Sequence, residues 1–442
     1  MTHQPTTPQF KTNVKKALRD ENLQSALRGS RGNFIDKRAK AAAKVDTFDE
    51  LRDAARDLKN HTLAHLDLYL QRYEDRVHAD GGHVHWAETA EENGIAPVET
   101  DLGEYIIQLR GEAPSHIIAP AVHVTVPEVR EEFRKAHTHL PEDRNLDGLD
   151  TLLQEARGIL REKYFEAEVG ITGANMLIAE TGQSVIVTNE GNGDLSQSLP
   201  RVHIVMASLE KVVPTLDDAS TILRVLARSA TGQDMSVYTT FSAGPRRAAD
   251  PDGPEEYHVV LLDNGRSNMI GTEIQEMLRC IRSGACMTHC PVYQSVGGHA
   301  YGWVYPGPMG AVLTPALIGV EEGGHLPNAS TFCGRCEAVC PMRIPLPKMM
   351  RHWREREFER NLTPNATRYG LGLWAFFARR PALYQFVTGW AMWKLRLASL
   401  GKGRFRAVPF FNRFVRGWTE KRDLPAPEGA TFMSQWAAGK RP

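Results

Sequence analysis

Several things are scarce or missing in this 442-residue chain, and each absence excludes something. No apolar stretch opens it: Met1 to Arg31 is polar and charged, which argues against a secretory leader and makes a reducing, cytoplasmic setting the expectation. No uninterrupted apolar run is long enough to span a bilayer; the nearest, Leu371 to Trp393, is broken by Arg379, Arg380 and Pro381. Neither G-x-G-x-x-G nor a Walker loop is present, so the standard nucleotide cradles are absent. No short-period repeat appears beyond the cysteine segments described next. Net charge is zero, from 53 basic and 53 acidic residues. That balance hides a tail, Arg351 to Arg422, in which basic residues outnumber acidic ones by about a dozen.

Cysteine is scarce too, but concentrated. All six cysteines fall in two short segments, Cys280-Ile-Arg-Ser-Gly-Ala-Cys286-Met-Thr-His-Cys290-Pro291 and Ser330-Thr-Phe-Cys333-Gly-Arg-Cys336-Glu-Ala-Val-Cys340-Pro341. Such crowding reads as metal ligation rather than disulfides. Both segments follow the register C-x2-C-x2-C-x3-C-P, with serine at one position of each quartet. Zinc also takes C-x2-C pairs, but its structural sites favour separated pairs or Cys/His sets. In the two-cluster arrangement the last cysteine of each run crosses to the other cluster. One cluster then takes Cys280, Cys286 and Cys340 with Ser283 at the open corner. The other takes Cys290, Cys333 and Cys336 with Ser330. A serine hydroxyl gives up its proton far less readily than a thiol, so each fourth iron is expected to be labile or oxygen-held. Two 4Fe–4S clusters are expected, with 3Fe–4S the alternative at the serine corners.

Length predicts two or three domains. Val45 to Tyr73 has helical spacing, as does Asp147 to Lys163, and Ser220 to Ala230 is a further helix. Ala174 to Ala179 is apolar. Ser184 to Thr188, Val202 to Ala207, Val237 to Ser242 and His258 to Asp263 read as strands. Strands alternating with helices predict an α/β domain with a largely parallel sheet. The expected divisions are an N-terminal helical region at 1–75, the α/β domain at 76–268, a ferredoxin-like helical cluster module at 272–350, and a basic, aromatic-rich helical C-terminal segment at 351–442.

Two glycine-bearing runs, Gly170 to Asn175 and Thr188 to Gly193, read as turns between strands, with a ligand loop the sharper alternative. Glu190 is the carboxylate of interest there, as a ligand-positioning or acid/base group or simply a solvated turn residue. His83 and His85, at i, i+2 spacing, could share a strand face as metal ligands, but lack a third ligand nearby in sequence. His289, Arg279, Arg282 and Arg335 flank the cysteines, where hydrogen bonds and positive charge favour a reduced cluster. In the tail, Trp374, Phe376, Phe377, Tyr384, Phe386, Trp390 and Trp393 stand among basic residues. They are read first as packing on the cluster module with a solvated basic face, and second as a surface for a partner or anionic lipid. No motif supports nucleic-acid binding.

The runs Gly170-Ile-Thr-Gly-Ala-Asn175, Thr188-Asn-Glu-Gly-Asn-Gly193 and Leu199-Pro-Arg-Val-His203, the two cysteine segments and His299-Ala-Tyr-Gly302 together resemble the lactate-utilization protein B family. That family is the iron–sulfur subunit of a bacterial three-protein L-lactate oxidation system, and the resemblance covers nearly the whole chain. It implies an α/β domain similar to the glucosamine-phosphate deaminase, ribose-phosphate isomerase and CoA-transferase fold group, followed by the two-cluster module. It also implies a function: relaying electrons from L-lactate, with partner subunits completing the oxidation to pyruvate and an acceptor the sequence does not identify. The chain departs from the family in carrying Ser283 where cysteine is usual. It also lacks a helix–strand piece usual near 91–94. No catalytic residue is assigned. The competing reading is a ligand-binding or acyl-transfer module that uses Glu190, its clusters structural or sensory.

Overall fold

The computed structural model describes residues 5–89, 97–399, 403–405 and 423–439; the shortened stretch near 91–94 lies outside them. Met1–Arg360 form one compact unit and Asn361–Pro442 a second.

After a short helix at Phe10–Ala17 comes helix α1 (Glu21–Ala43), whose start is fixed by the Asp20 carboxylate accepting from the Leu23 N–H. The stretch expected as one helix from Val45 to Tyr73 is two, α2 (Phe48–Ala64) and α3 (Leu66–Ala79), broken where His65 leaves helical backbone at φ −130°, ψ 36°. Packing explains the break. Leu51, Ala55 and Leu63 face one core, while Leu66, Leu70 and Tyr73 face another. A single helical stripe points one way only, so serving two cores requires a change of axis.

Strand β1 (His83–Ala87) follows, then helices α4 (Leu102–Arg110), α5 (Val126–Ala136) and α6 (Leu149–Glu166), which bury Tyr105, Phe133, Leu152 and Leu160 in a small core of their own. Next come β2 (Val169–Gly173), β3 (Met176–Ile178), β4 (Gln183–Thr188), helix α7 (Asn192–Ser198), β5 (Val202–Ser208), β6 (Val212–Val213), helix α8 (Leu216–Ala230), β7 (Tyr238–Ser242) and β8 (Glu256–Leu262). These strands form two sheets rather than one. The first, ordered β1-β8-β5-β2, is wholly parallel; the second, β6-β3-β4-β7, is mixed. The short connection from β3 to β4, with Gly182 at φ +72°, can close only an antiparallel pair.

The run from Gly170 to Gly173 is strand, not the expected turn. A Cβ on Gly170 would stand 1.8 Å from the Ser196 carbonyl oxygen, so glycine serves there to let β2 pass beneath α7. The parallel sheet buries Val205, Ala207, Tyr257, Val259 and Leu261 against α3. Alternate residues of β8 are buried, the period expected of a sheet with one face on a core.

Beyond β8 lie the cysteine segments with short helices α9 (Ala285–Thr288) and α11 (Arg335–Ala338), separated by α10 (Gly307–Ile318) and followed by α12 (Leu346–Glu359). Their core is shared with the N-terminal helices: Phe48, Leu51 and Ala55 of α2 pack in one cluster with Met277, Ile281, Met287, Met309 and Met349. Met-rich packing suits an irregular space between short elements.

In the second unit, α13 (Asn365–Ala378) and α14 (Pro381–Ser399) form a helical hairpin. Trp374, Phe376, Phe386, Trp390 and Trp393 are exposed on it, and Phe377 and Tyr384 half-buried. Arg380 lies 3.9 Å over the Phe376 ring, and Lys394 3.9 Å over Trp390. Among the described residues no helix is long and apolar enough to cross a membrane.

Candidate iron–sulfur site

Two loops of one design carry the cysteines. In the first, Arg282 takes a positive φ of 61° and Gly284 one of 69°, and α9 then presents Cys286. In the second, Phe332 at φ 53° and Gly334 at 77° play the same parts, and α11 presents Cys336. Superposing the plans sets Ser283 against Cys333 and Ser330 against Cys280. Two left-handed residues on either side of a single ordinary one turn the chain tightly enough to bring three side chains of one segment to one corner.

A cavity of about 400 Å3, counting its mouth, is lined by Cys280, Ser283, Cys286 and Cys340, with Met277, Ile281, Met287, Met309 and Leu346 as apolar walls. The donor set and the apolar lining fit a cubane cluster. The thiols act on one another within these groups and, from Cys336 to Cys286, between them. Burial first, then the Cys280 and Cys340 charges, pushes the Cys286 thiol well above its ordinary range. Burial and then Cys290 push Cys336 up to about 12. Protonated thiols so disfavoured as free anions become stable ligands only when a cation takes the proton's place. Cys333 differs: it is exposed, and the Arg335 backbone N–H, with the Arg335 charge behind it, holds its thiol below the usual value. The Ile344 N–H donates to Cys340 Sγ at 3.5 Å.

The closing cysteine of the second loop is anchored from α2. Arg52, 5 % exposed, donates from Nε and Nη2 to the Cys340 carbonyl at 3.1 and 2.7 Å, and from Nη2 to the Ala338 carbonyl at 2.7 Å. Arg38 of α1 donates to the Val339 carbonyl at 2.9 Å. Arg279 is also buried, held by Glu276 at 2.7 Å. His289 lies 2.9 Å from the Ala285 carbonyl, and burial lowers its pKa.

The first loop is roofed by a segment that sequence reasoning missed, Ser115 to Pro120. His116 is 4 % exposed, stacks on Phe34 and lies edge-on to Tyr293, and its Nδ1 accepts from the Ile118 and Ala119 N–H groups. Burial lowers its pKa to about 4, so it is neutral. Tyr293 fastens the same segment by donating to the Ser115 carbonyl at 2.6 Å. A lone histidine in an apolar run carries no spacing signal, and only the fold reveals its place.

Arg282, noted for its charge, lies 3.5 Å from Glu210 and 4.7 Å over the Tyr305 ring. Glu210 is buried and also meets Arg266 at 3.3 Å. Burial alone would raise its pKa, but Arg282, Arg266 and Lys211 outweigh burial and hold it below the ordinary value. Nothing in the sequence around Glu210 marks it.

Glu190 lines a large cleft of about 1580 Å3, counting open solvent, together with Asp101, Glu104 and, from the first cysteine loop, Ile281 and Arg282. Burial, then the Asp101 charge, raises the Glu190 pKa. Glu104 is driven the same way more strongly, well above the carboxylate range. The i, i+2 histidines do find a neighbour: His85 Nε2 is 3.1 Å from His258 Nδ1, and His83 stacks on the same ring. Their ligand atoms do not converge on one point. Those of Glu112, His123 and His299 do. His123, however, already uses both ring nitrogens, on Glu112 at 2.9 Å and Ser115 at 2.7 Å.

Comparison with known proteins agrees with this organisation. Residues 70–262 match the family described as the LUD domain, and 276–344 match the 4Fe-4S dicluster domain. Lactate utilization protein B of Bacillus licheniformis is 36% identical over 98% of this chain and 97% of its own length. That of Bacillus pumilus is 37% identical over 96% of each. The uncharacterized electron transport protein YkgF of Escherichia coli is 35% identical over 96% of this chain and 95% of its own. A solved DUF162-family protein from Deinococcus radiodurans aligns with 45% of this chain and 98% of its own at 17% identity, but its TM-score of 0.24 carries no argument. With mixed α/β architecture, a dicluster segment and relatives matching over nearly their full length, the chain belongs to the lactate utilization protein B family.

Proposed function

We propose that this chain is the iron–sulfur electron-transfer subunit of an L-lactate oxidation complex, which holds two clusters and works with other subunits of that system. The observation that supports the reading best is the pairing of the loops. Cys280, Cys286 and Cys340 surround one cavity, and the thiols of Cys290, Cys333 and Cys336 act on one another. Cys280, Cys286 and Cys340 would hold one cluster beside Ser283, and Cys290, Cys333 and Cys336 the other beside Ser330. When bound, such clusters supply one-electron transfer without needing a general acid, base or nucleophile from the protein. The chain's own contribution is positioning: Arg52 and Arg38 fix the second loop, His116 and Ile117 close the first, and buried Arg279 and half-buried Arg282 place positive charge beside the ligands. Lactate's C–H and O–H protons are handled elsewhere, in a partner or at a cofactor site the sequence does not reveal. The exposed aromatic and basic face of the C-terminal hairpin would meet that partner or an anionic membrane surface. The domain divisions proposed are 1–75, 76–268, 272–350 and 351–442.

Anaerobic purification, iron and sulfide analysis and EPR before and after dithionite test this reading. About eight irons with interacting reduced signals mean two 4Fe–4S centres with oxygen-completed corners. About six or seven, with an oxidised 3Fe–4S signal, mean an open corner at Ser283 or Ser330. No iron above background would overturn the assignment. A second reading has its own support, because Glu190 stands in the large cleft that the first cysteine loop also lines. In that reading the α/β domain binds a ligand, or transfers an acyl group, through Glu190. Glu190→Ala distinguishes the two: lost lactate oxidation with intact cluster spectra favours the ligand site, and retained oxidation favours the relay.

A further inference from the structure

A third cavity, of about 710 Å3 counting its mouth, opens at the carboxyl ends of β2, β5 and β8. Loops at this end of a parallel sheet are free to diverge around a ligand, which is why α/β folds place binding sites there. Its composition is two-sided. Lys211, Arg266 and Arg282 supply positive charge, while Ile117, Met206, Leu262 and Tyr305 supply apolar wall.

The neighbouring Cys280 acts on Lys211 and Arg282 as one anion, but three cations still outnumber it and the carboxylate nearby. Among the described residues Glu210 is the one carboxylate that answers them, 3.3 Å from Arg266 and 3.5 Å from Arg282. Buried Lys59 adds a further cation, spent on the Glu210 and Val212 carbonyls. Among the described residues Lys211 has no ion pair or hydrogen bond, and burial followed by repulsion from Arg282 lowers it to about 8. Confined cations in excess are costly unless an anion meets them. Two guanidiniums and an ammonium set beside apolar wall suit a carboxylate attached to a short carbon chain better than a bare inorganic anion, which would leave the apolar wall facing a hydrated ion.

We propose that this cavity binds a short-chain organic acid, its carboxylate against Lys211, Arg266 and Arg282 and its carbon chain against Ile117, Leu262 and Tyr305. The proposal does not depend on the electron-transfer reading, since it concerns equilibrium binding alone.

Titration calorimetry on the anaerobically purified, cluster-loaded full chain tests it, with pyruvate, L-lactate and inorganic phosphate as probes. Saturable one-to-one binding of at least one carboxylate is expected in the millimolar range or tighter, with phosphate about tenfold weaker or more. Lys211→Met should weaken that binding about tenfold or more while leaving the cluster EPR signal and the unfolding midpoint in place. A second readout uses the unaltered protein: the bound acid should protect Lys211 from amine acylation. The proposal is overturned if neither carboxylate binds, if phosphate binds as tightly as they do, or if Lys211 is acylated equally with and without the acid. Unchanged binding in Lys211→Met, with cluster signals alone displaced, would mean that these cations serve only the neighbouring cysteine loop.

Discussion

In the first cysteine loop a Cβ on Gly284 would stand 3.1 Å from both the His116 ring and the Ile118 side chain. Gly334, at the same point of the second loop, has nothing within 4 Å. Arg282 and Phe332, the left-handed residues before them, each engage in a cation–π contact, but with reversed roles. Arg282 lies over Tyr305, while Phe332 receives Arg354 at 4.3 Å. Ser283 is buried and its counterpart Cys333 exposed. One backbone plan is therefore set in two environments. The plan supplies the turn that gathers ligands, while distant segments decide how much water reaches them. Exposure of the second loop suits exchange with a partner, and enclosure of the first suits a centre coupled to the cavities around it.

The largest test of this difference removes one thiol from each site. Cys286→Ser should cost the enclosed cluster, about half the iron, and destabilise the fold, because a buried, largely apolar cavity then lacks its filling group. Cys333→Ser should cost a comparable share of iron with little change in the unfolding midpoint; equal destabilisation of the two variants would erase the distinction. Next, Arg52→Met leaves the Cys340 and Ala338 carbonyls unanswered, and a loss of about 2–4 kcal/mol is expected from chemical denaturation, with faster iron release.

The third test is acid. His116 falls from 6.5 to about 4 on folding, so between those values the unfolded chain binds the extra proton. Its stabilising share is fully present above about pH 6.5 and is lost on acidification toward pH 4, about 3 kcal/mol in all. His116→Asn should flatten that slope if the roof over the first loop is the sensor. The smallest effect separates the glycines. Both Gly→Ala changes strain a positive φ, at about 1 kcal/mol, but Gly284→Ala must also displace His116 and so should cost more than Gly334→Ala. Thermal unfolding of the two variants side by side gives the answer.

Much of this was legible from residue order. β-branched runs such as Ser-Val-Ile-Val-Thr announce strands because they suit a pleated, half-buried surface, and β4, β5, β7 and β8 lie where that pattern puts them. The cysteines declare themselves because ligand spacing is local. What escaped notice depends on which core a side chain faces. Periodicity runs unbroken through His65, although the chain changes direction there. Gly170 looks like a turn residue until α7 is seen pressed against it. His116, Glu210 and Lys211 owe their setting to partners far along the chain, and no short window of sequence holds that information.

The contact between Arg52 and the Ala338 carbonyl spans 286 residues. During synthesis, at roughly 5–20 residues per second, the N-terminal helices leave the ribosome roughly 15–60 seconds before the loop they fasten exists. Their apolar faces, which end in the cysteine core, have little but α8 to cover them for much of that interval. The order of manufacture thus makes cluster assembly a late event, and it makes the amino-terminal helices the part of the nascent chain most in need of a chaperone.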